Sequence, residues 1–274
     1  MAIQEPVDSG RRPTTQERVD GITPTGRGSG ASARGADAGG ADVTRRKRAW
    51  AVEFYRSAIG KKYVMAVTGL ILMVFVVAHM VGNLKLYLGA EPLNVYAEWL
   101  RDVGYPALPH SGLLWIMRGG LIVAFVLHLH AAWALTRMNR RARPQGYASK
   151  RDYLAADFAA RTMRWSGIIV LLFIAFHLAD LTFGVANTAE FTAANPYANT
   201  VRSFQRWPVS VFYILANVAL GIHLFHGAWS MFQSMGINNR RFNHWRRHFA
   251  TAFAVVVTLG NVSFPVAVLA GIVA

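Results

Sequence analysis

Two stretches of this chain place a histidine at the end of the same local pattern. Thr68-Gly69 is followed by nine apolar residues and then His79, and Ser166-Gly167 is followed by nine apolar residues and then His177. Both stretches lie in apolar runs that are long enough to cross a lipid bilayer. A histidine inside a membrane span is costly and indicates a functional site. The matched positions predict that these two imidazoles share one ligand.

Six of the nine histidines fall in predicted membrane spans, and they are spread over four of them. One such histidine usually hydrogen-bonds to a neighbouring helix, but six are too many for that explanation. Counting about 1.5 Å per residue along each span separates them into two layers. An outer layer holds the pair from the first and third spans, and an inner layer holds one histidine each from the second and fourth spans. The six are His79, His128, His130, His177, His223 and His226.

An imidazole on each face of a haem fills both axial positions of the iron and leaves no open site for oxygen. Such a centre is suited to one-electron transfer. The two layers therefore predict two bis-histidine haems. On the second span, Gly119 stands eleven residues before His130, at the offset that separates Thr68 from His79, and Gly120 follows it. These small residues favour His130 over His128, because a flat macrocycle needs close approach. On the fourth span, residue spacing leaves the two histidines equivalent.

Composition indicates the kind of scaffold that positions these residues. The chain has 274 residues, 53% of them hydrophobic, and a mean hydropathy of +0.26, which are values typical of a polytopic membrane protein. It contains no cysteine, which excludes disulfides, a cysteine zinc site and a protein-ligated iron–sulfur cluster. The net charge of +15 comes from basic residues beside apolar spans, a pattern of membrane topology and not of nucleic acid binding.

Five apolar runs predict an all-α membrane protein with five transmembrane helices. Four of them would form a dihaem four-helix bundle, with the fifth helix beside it. Each run is about 20 residues or longer, which suffices for a spanning helix. Residues 1–44 are predicted to be a disordered cytoplasmic tail, and 45–274 the transmembrane cytochrome b domain. The runs cover residues 62–84, 111–138, 161–185, 208–235 and 247–272.

Loop charge predicts the orientation. Basic residues concentrate before the first run, between the second and third runs, and between the fourth and fifth runs, so these segments should be cytoplasmic. The N-terminus is then inside and the C-terminus outside, in a multi-pass protein of the cytoplasmic membrane. In the outer loop 84–110, the stretch from Pro92 to Leu100 predicts a short surface helix that covers the outer end of the bundle.

Four motifs, in order on four spans, resemble one family. They are His79-Met-Val-Gly-Asn83, His130-Ala-Ala-Trp-Ala134, Arg164-Trp-Ser-Gly167 with His177, and His223 followed by Gly227. The chain from about 54 to 270 resembles the dihaem cytochrome b of succinate:quinone oxidoreductases that have a single large membrane anchor. Ser57-Ala-Ile-Gly-Lys-Lys62 is similar to the actinobacterial type.

The resemblance implies His79 with His177 as iron ligands of the distal haem b, and His130 with His223 as those of the proximal haem b. It implies a non-catalytic electron-transfer subunit of succinate dehydrogenase, in the tricarboxylic acid cycle and the respiratory chain. A flavoprotein subunit and an iron–sulfur subunit would dock on the cytoplasmic side, succinate would be oxidised on the flavoprotein, and electrons would reach a quinone, for which we expect menaquinone.

Further site residues are expected around these ligands. Arg118 and Arg164 could pair with haem propionates, since guanidinium groups suit carboxylates. Some fumarate reductases of the family carry a membrane glutamate two residues before the fourth-span ligand, and this chain has Gly221 there. The location of the quinone site is left open between two ends of the bundle. The outer candidates are Asp180, Glu98, Asn83 and Tyr87, and the inner ones are Ser57, Arg56 and Lys61.

Two other hypotheses predict different properties. The chain could be the dihaem cytochrome b of a fumarate reductase or of another quinone-linked dehydrogenase, such as a formate dehydrogenase or hydrogenase, which different soluble subunits would reveal. It could instead be a haem-free transporter or anchor whose histidines relay protons, which predicts no b-type absorption. The physiological direction and the oligomeric state are left open, since the same fold would serve both directions.

Overall fold

The computed structural model describes residues 50–142, 154–188, 190–237, 239 and 243–274, and gives only the backbone of 154–161. The predicted cytoplasmic tail 1–44 lies outside these residues, as does part of each predicted cytoplasmic loop. All regular secondary structure in the described part of the chain is helical. The α-helices are α1 (Trp50–Arg56), α2 (Ala58–Asn83), α3 (Ala90–Asp102), α4 (Gly112–Ala142), α5 (Leu154–His177), α6 (Pro196–Gln205), α7 (Trp207–Ser234) and α8 (Asn243–Leu269).

Five helical segments are long and apolar enough to cross a membrane, which confirms the predicted multi-pass all-α architecture. Two of them continue past an α-helix, in a 3₁₀ turn at Leu84–Leu88 and a π turn at Leu178–Thr182. The helices also extend beyond several predicted ends, because hydropathy marks the stretch suited to lipid and a helix can continue into polar sequence. The segments are Ala58–Leu88, Gly112–Ala142, Thr162–Thr182, Trp207–Ser234 and Asn243–Leu269.

A sharp junction at Ser57 separates α1 from the first span. The Ser57 hydroxyl accepts a hydrogen bond from the Gly60 amide at 2.8 Å and donates one to the Phe54 carbonyl at 2.7 Å, so it caps the N-terminus of α2. A Cβ on Gly60 would lie 1.9 Å from the Phe54 carbonyl oxygen, so only glycine allows α1 to approach α2 this closely. This junction places Tyr55 beside the bundle.

The spans pack in the series α4–α2–α7–α5, and α8 packs mainly on α7 and also on α2. The core is built largely from α2, α7 and α8. The outward faces of α4 and α5 carry apolar side chains that are more than half exposed, among them Trp115, Ile122, Val126, Trp165 and Leu172. Exposed apolar side chains along a spanning helix are what a lipid-facing surface requires.

Two short helices cover one end of the bundle, which we call the roof side; the opposite end, where α2 begins, is the N-side. The predicted surface helix is α3, and its Tyr96 ring packs on Gly82, where a Cβ would come within 2.8 Å of the ring. The second, α6, has no counterpart among the predicted elements. Asn94 of α3 donates to Asn195 at 3.0 Å, and the Asn195 side chain caps α6, so one polar cluster joins the two helices.

Candidate cofactor site: two facing histidine pairs

On the roof side, His79 of α2 faces His177 of α5. Their ring centroids are 5.9 Å apart and their planes are nearly perpendicular, at 89°. Phe75 stacks on His79, and Phe173 packs beside His177. The structure thus brings together the two histidines that the repeated sequence pattern placed at matched depth.

Nearer the N-side, His128 of α4 faces His223 of α7, with ring centroids 6.5 Å apart and an interplanar angle of 69°. In the series α4–α2–α7–α5, both histidine pairs join second neighbours. The pairs are therefore diagonal within this group of four helices, and each of the four contributes one histidine to a pair.

His130 does not face His223, contrary to the expectation from the sequence. Its exposed ring stacks beside Tyr55, whose hydroxyl lies 2.5 Å from His130 Nδ1. The small residues used to prefer it, Gly119-Gly120, have no heavy atom within 4 Å of where a Cβ would be. We therefore replace His130 with His128 as the partner of His223.

Close approach occurs instead at the two glycines of the repeated pattern. A Cβ on Gly69 would lie 3.3 Å from His128 Cε1, and a Cβ on Gly167 would lie 3.3 Å from His223 Cε1. In each copy of the pattern, the histidine at the end belongs to the roof-side pair, and the glycine at the start lies against a histidine of the N-side pair. The same spacing on two helices gives the group an approximate internal symmetry.

The hydroxyl residue before each glycine contacts the same imidazole. Thr68 Oγ1 lies 3.3 Å from His128 Nδ1, and Ser166 Oγ lies 3.4 Å from His223 Nδ1. Each hydroxyl donates its only hydrogen to its own helix, Thr68 to the Val64 carbonyl at 2.7 Å and Ser166 to the Met163 carbonyl at 3.1 Å. With the hydroxyl hydrogens directed there, each Nδ1 carries a hydrogen and donates it, which leaves the lone pair on Nε2.

A buried polar network supports the roof-side pair. The Tyr213 hydroxyl donates to Asp180 at 2.9 Å and lies 3.4 Å from His177 Nδ1. Asp180 has 0% of its surface exposed. It also accepts hydrogen bonds from Ser203 and, at 2.8 Å, from Arg206. Asp180 was expected as an outer quinone candidate, and the structure places it inside this network.

His226 is separated from the histidine pairs. Its Nε2 lies 3.1 Å from the hydroxyl of Thr162, one turn before Ser166 on α5. Residue spacing did not distinguish the two histidines of α7, but their neighbours differ. His223 faces the His128 ring, whereas His226 contacts Thr162.

The separation of the two rings in each pair is that expected of two imidazoles on one metal ion. Two metal–nitrogen bonds of about 2 Å each, extended to the ring centres, give a centroid separation of roughly 6 Å. From Gly69, at the level of the N-side pair, to His79 is about 15 Å along α2, so the two layers are distinct. Within the described ranges, no group of three or more His, Cys, Asp or Glu side chains is arranged to hold a metal ion. A haem would need only two imidazoles from the protein, so either pair could hold one.

The expected propionate partners lie on outward faces. Arg118 is exposed near the roof-side end of α4 and stacks over Trp115 at 4.9 Å, and Arg164 is exposed on α5 beside the N-side pair. These positions are typical of arginines that extend toward the membrane interface.

The remaining quinone candidates are distributed over both ends. Glu98 is exposed on α3 and lines a groove of about 210 Å³. Asn83 is half-buried at the end of α2. On the N-side, the Ser57 hydroxyl is engaged in capping α2, and Lys61 donates to the Arg56 carbonyl at 2.7 Å. They do not converge on one site.

Gly221 stands where a membrane glutamate occurs in some members of the resembled family, and the packing explains its size. A Cβ at this position would lie 2.0 Å from Thr258 Oγ1 of α8. Helix α8 thus occupies the space that a longer side chain would need.

The hydroxyl–histidine contacts through Thr68 and Ser166 were visible in the sequence only as a repeat, whereas Tyr213, Ser203 and Arg206 gave no signal that linked them to a histidine.

No protein-family model matches the chain, and no curated protein or solved structure matches it. The chemistry and the geometry of the residues are therefore the basis for assigning a function.

Proposed function

We propose that the chain is a membrane cytochrome b that binds two haem b groups, one between His79 and His177 and one between His128 and His223. The observation that carries this proposal is the pair of facing imidazoles at two levels, with centroids 5.9 and 6.5 Å apart, contributed by four spanning helices. A solitary intramembrane histidine has a structural explanation, but two facing pairs in a repeated setting are typical of axial ligation.

A haem b held between the two imidazoles of a pair would supply one-electron transfer. The residues of this chain would serve that chemistry in three ways. Thr68, Ser166 and Tyr213 orient the rings so that Nε2 is free to bind. Gly69 and Gly167 allow neighbouring helices to approach the rings. The apolar spans exclude water from both sites.

Two levels in one bundle make the chain suited to electron transfer across a membrane. More specifically, we propose the anchor subunit of a succinate dehydrogenase, which delivers electrons from an iron–sulfur subunit to a quinone, for which we expect menaquinone. The four motifs named above support this choice. The charge distribution also supports this choice. Basic residues of α2, α4 and α8 lie on the N-side, as expected of a cytoplasmic face where soluble subunits would dock. They include Lys61, Lys62, Arg137, Arg140, Arg141, Arg246 and Arg247.

The first test is a reduced-minus-oxidised visible spectrum of the purified membrane complex, with haem quantified per chain. Two b-type haems per chain are expected. No b-type absorption would contradict the proposal and favour the haem-free transporter or anchor.

The soluble subunits that co-purify test the finer assignment. A flavoprotein and an iron–sulfur protein with succinate:quinone activity are expected. A formate dehydrogenase or hydrogenase partner would leave the cytochrome b assignment intact and overturn the succinate assignment.

A further inference from the structure

We infer that Tyr213 and Asp180 are positioning residues that make the roof-side histidine pair chemically different from the N-side pair. They hold His177 in one tautomer and connect its imidazole to a buried carboxylate. This inference rests on the proposed binding of haem, and it predicts that the two centres have different reduction potentials for a reason encoded at these two positions.

The proton count sets the roles in this network. A phenol has one hydrogen, and the Tyr213 hydroxyl is 2.9 Å from an Asp180 oxygen but 3.4 Å from His177 Nδ1. A carboxylate can only accept, so the hydrogen of Tyr213 is directed to Asp180. The phenolic oxygen then accepts from His177 Nδ1–H, and the Nε2 lone pair is left for a metal.

The fold holds Asp180 in place from several directions. It lies in the π turn Leu178–Thr182 that follows His177, where the Phe183 amide bonds to the Leu178 carbonyl at 2.8 Å. Single π turns inside helices are frequent at functional sites. Ser203 and Arg206, at the junction of α6 and α7, both donate to the carboxylate. These hydrogen bonds hold the negatively charged Asp180 side chain next to the Tyr213 hydroxyl.

The N-side pair has a neutral counterpart of this arrangement. Thr68 and Ser166 also contact imidazole Nδ1 atoms, but their hydrogens go to main-chain carbonyls. Hydrogen bonding of the second ring nitrogen toward a carboxylate raises the basicity of a ligating histidine. A more basic histidine ligand would favour oxidised iron. These contacts should therefore lower the reduction potential of the roof-side centre relative to that of the N-side centre.

Potentiometric titration of the visible spectrum, with electron paramagnetic resonance of the oxidised complex, tests this inference. The component that is absent from His79→Ala identifies the roof-side centre. In Asp180→Asn and in Tyr213→Phe, we expect the potential of that component to rise and its resonance to shift, while the other component stays unchanged. A tenfold rise in its reduced-to-oxidised ratio at a fixed potential corresponds to a shift of about 59 mV.

Tyr197→Phe is the matched control, because it removes a roof-side hydroxyl that donates to the Ala274 carbonyl at 2.9 Å and contacts no histidine of a pair. Tyr213→Phe keeps the ring in place and decides the question if Asp180→Asn does not assemble. Equal shifts in both components, or no shift in either, would overturn the inference while leaving two haems bound. A wild-type complex without haem would overturn the proposed function itself.

Discussion

The imidazole of His128 lies 6.5 Å from that of His223, and each ring is backed by a hydroxyl residue and a glycine of a neighbouring helix. Thr68-Gly69 backs the first ring and Ser166-Gly167 backs the second. Because the same two segments end in the roof-side histidines, a single local pattern organises both levels of the site.

The second-span ligand can be distinguished by two substitutions placed two residues apart. We expect His128→Ala to lose one of two haems, because it removes one member of the N-side pair. His130→Ala should keep both haems, since the exposed His130 ring contacts Tyr55 instead. Haem quantified per purified chain measures the outcome, and the reverse result would restore His130 as the ligand.

Thr68 and Ser166 are expected to act through the imidazoles that they contact. Thr68→Val and Ser166→Ala should each weaken retention of the N-side haem by about 10- to 100-fold, the usual effect of losing a hydrogen bond to a metal-ligating histidine. Retention is measured by haem loss during titration with an apo-globin acceptor. Thr136→Val is the control, because the Thr136 hydroxyl also bonds to its own helix, at the Ala132 carbonyl. Equal losses in all three variants would indicate a general effect on helix stability.

The contact between Gly221 and Thr258 should limit side-chain size at the α7–α8 interface. Gly221→Ala places a Cβ 2.0 Å from Thr258 Oγ1, so we expect a loss of about 1–3 kcal/mol, as is typical for overpacking. Thermal unfolding in detergent measures it.

The double variant Gly221→Ala/Thr258→Ala should recover most of this loss, because it removes the clashing oxygen. Gly119→Ala is the matched control, since no heavy atom lies within 4 Å of its Cβ position. A normal unfolding temperature for Gly221→Ala alone would contradict this expectation and mean that the Thr258 side chain or the helices move at little cost.

Two arginines of the roof side should differ sharply in their effect on stability. Arg206→Ala leaves the fully buried Asp180 carboxylate without its cation, so we expect a loss of about 3–5 kcal/mol. Arg202→Ala breaks an ion pair with Glu190, which is 73% exposed, and should cost at most about 1 kcal/mol. Unfolding temperatures of the two variants in the same detergent check this contrast. Similar shifts would mean that Arg206 is not needed to balance Asp180.

The sequence by itself predicted the five spans, the roof helix in the 84–110 loop and the matched depth of His79 and His177, whose rings face each other in the structure. Spans follow from apolar length, and His79 and His177 follow from a repeat on two helices, since equal spacing along helices gives equal depth. Helix α6 was missed because its ten residues are too polar and too short to give a periodic signal, although Asn195-Pro196 is a recognisable helix start.

Only the tertiary structure showed that His128 and not His130 faces His223, and that Asp180, expected as an outer quinone candidate, is linked to His177 through Tyr213. Two residues along a helix change direction by about 200°, so the choice depends on how α4 is rotated about its axis. That rotation is set by packing of α4 on α2 at Gly69, which no local pattern around either histidine contains. The Asp180 network joins a π turn to the α6–α7 junction and to α7, and contacts so distant in sequence arise only when the chain is folded.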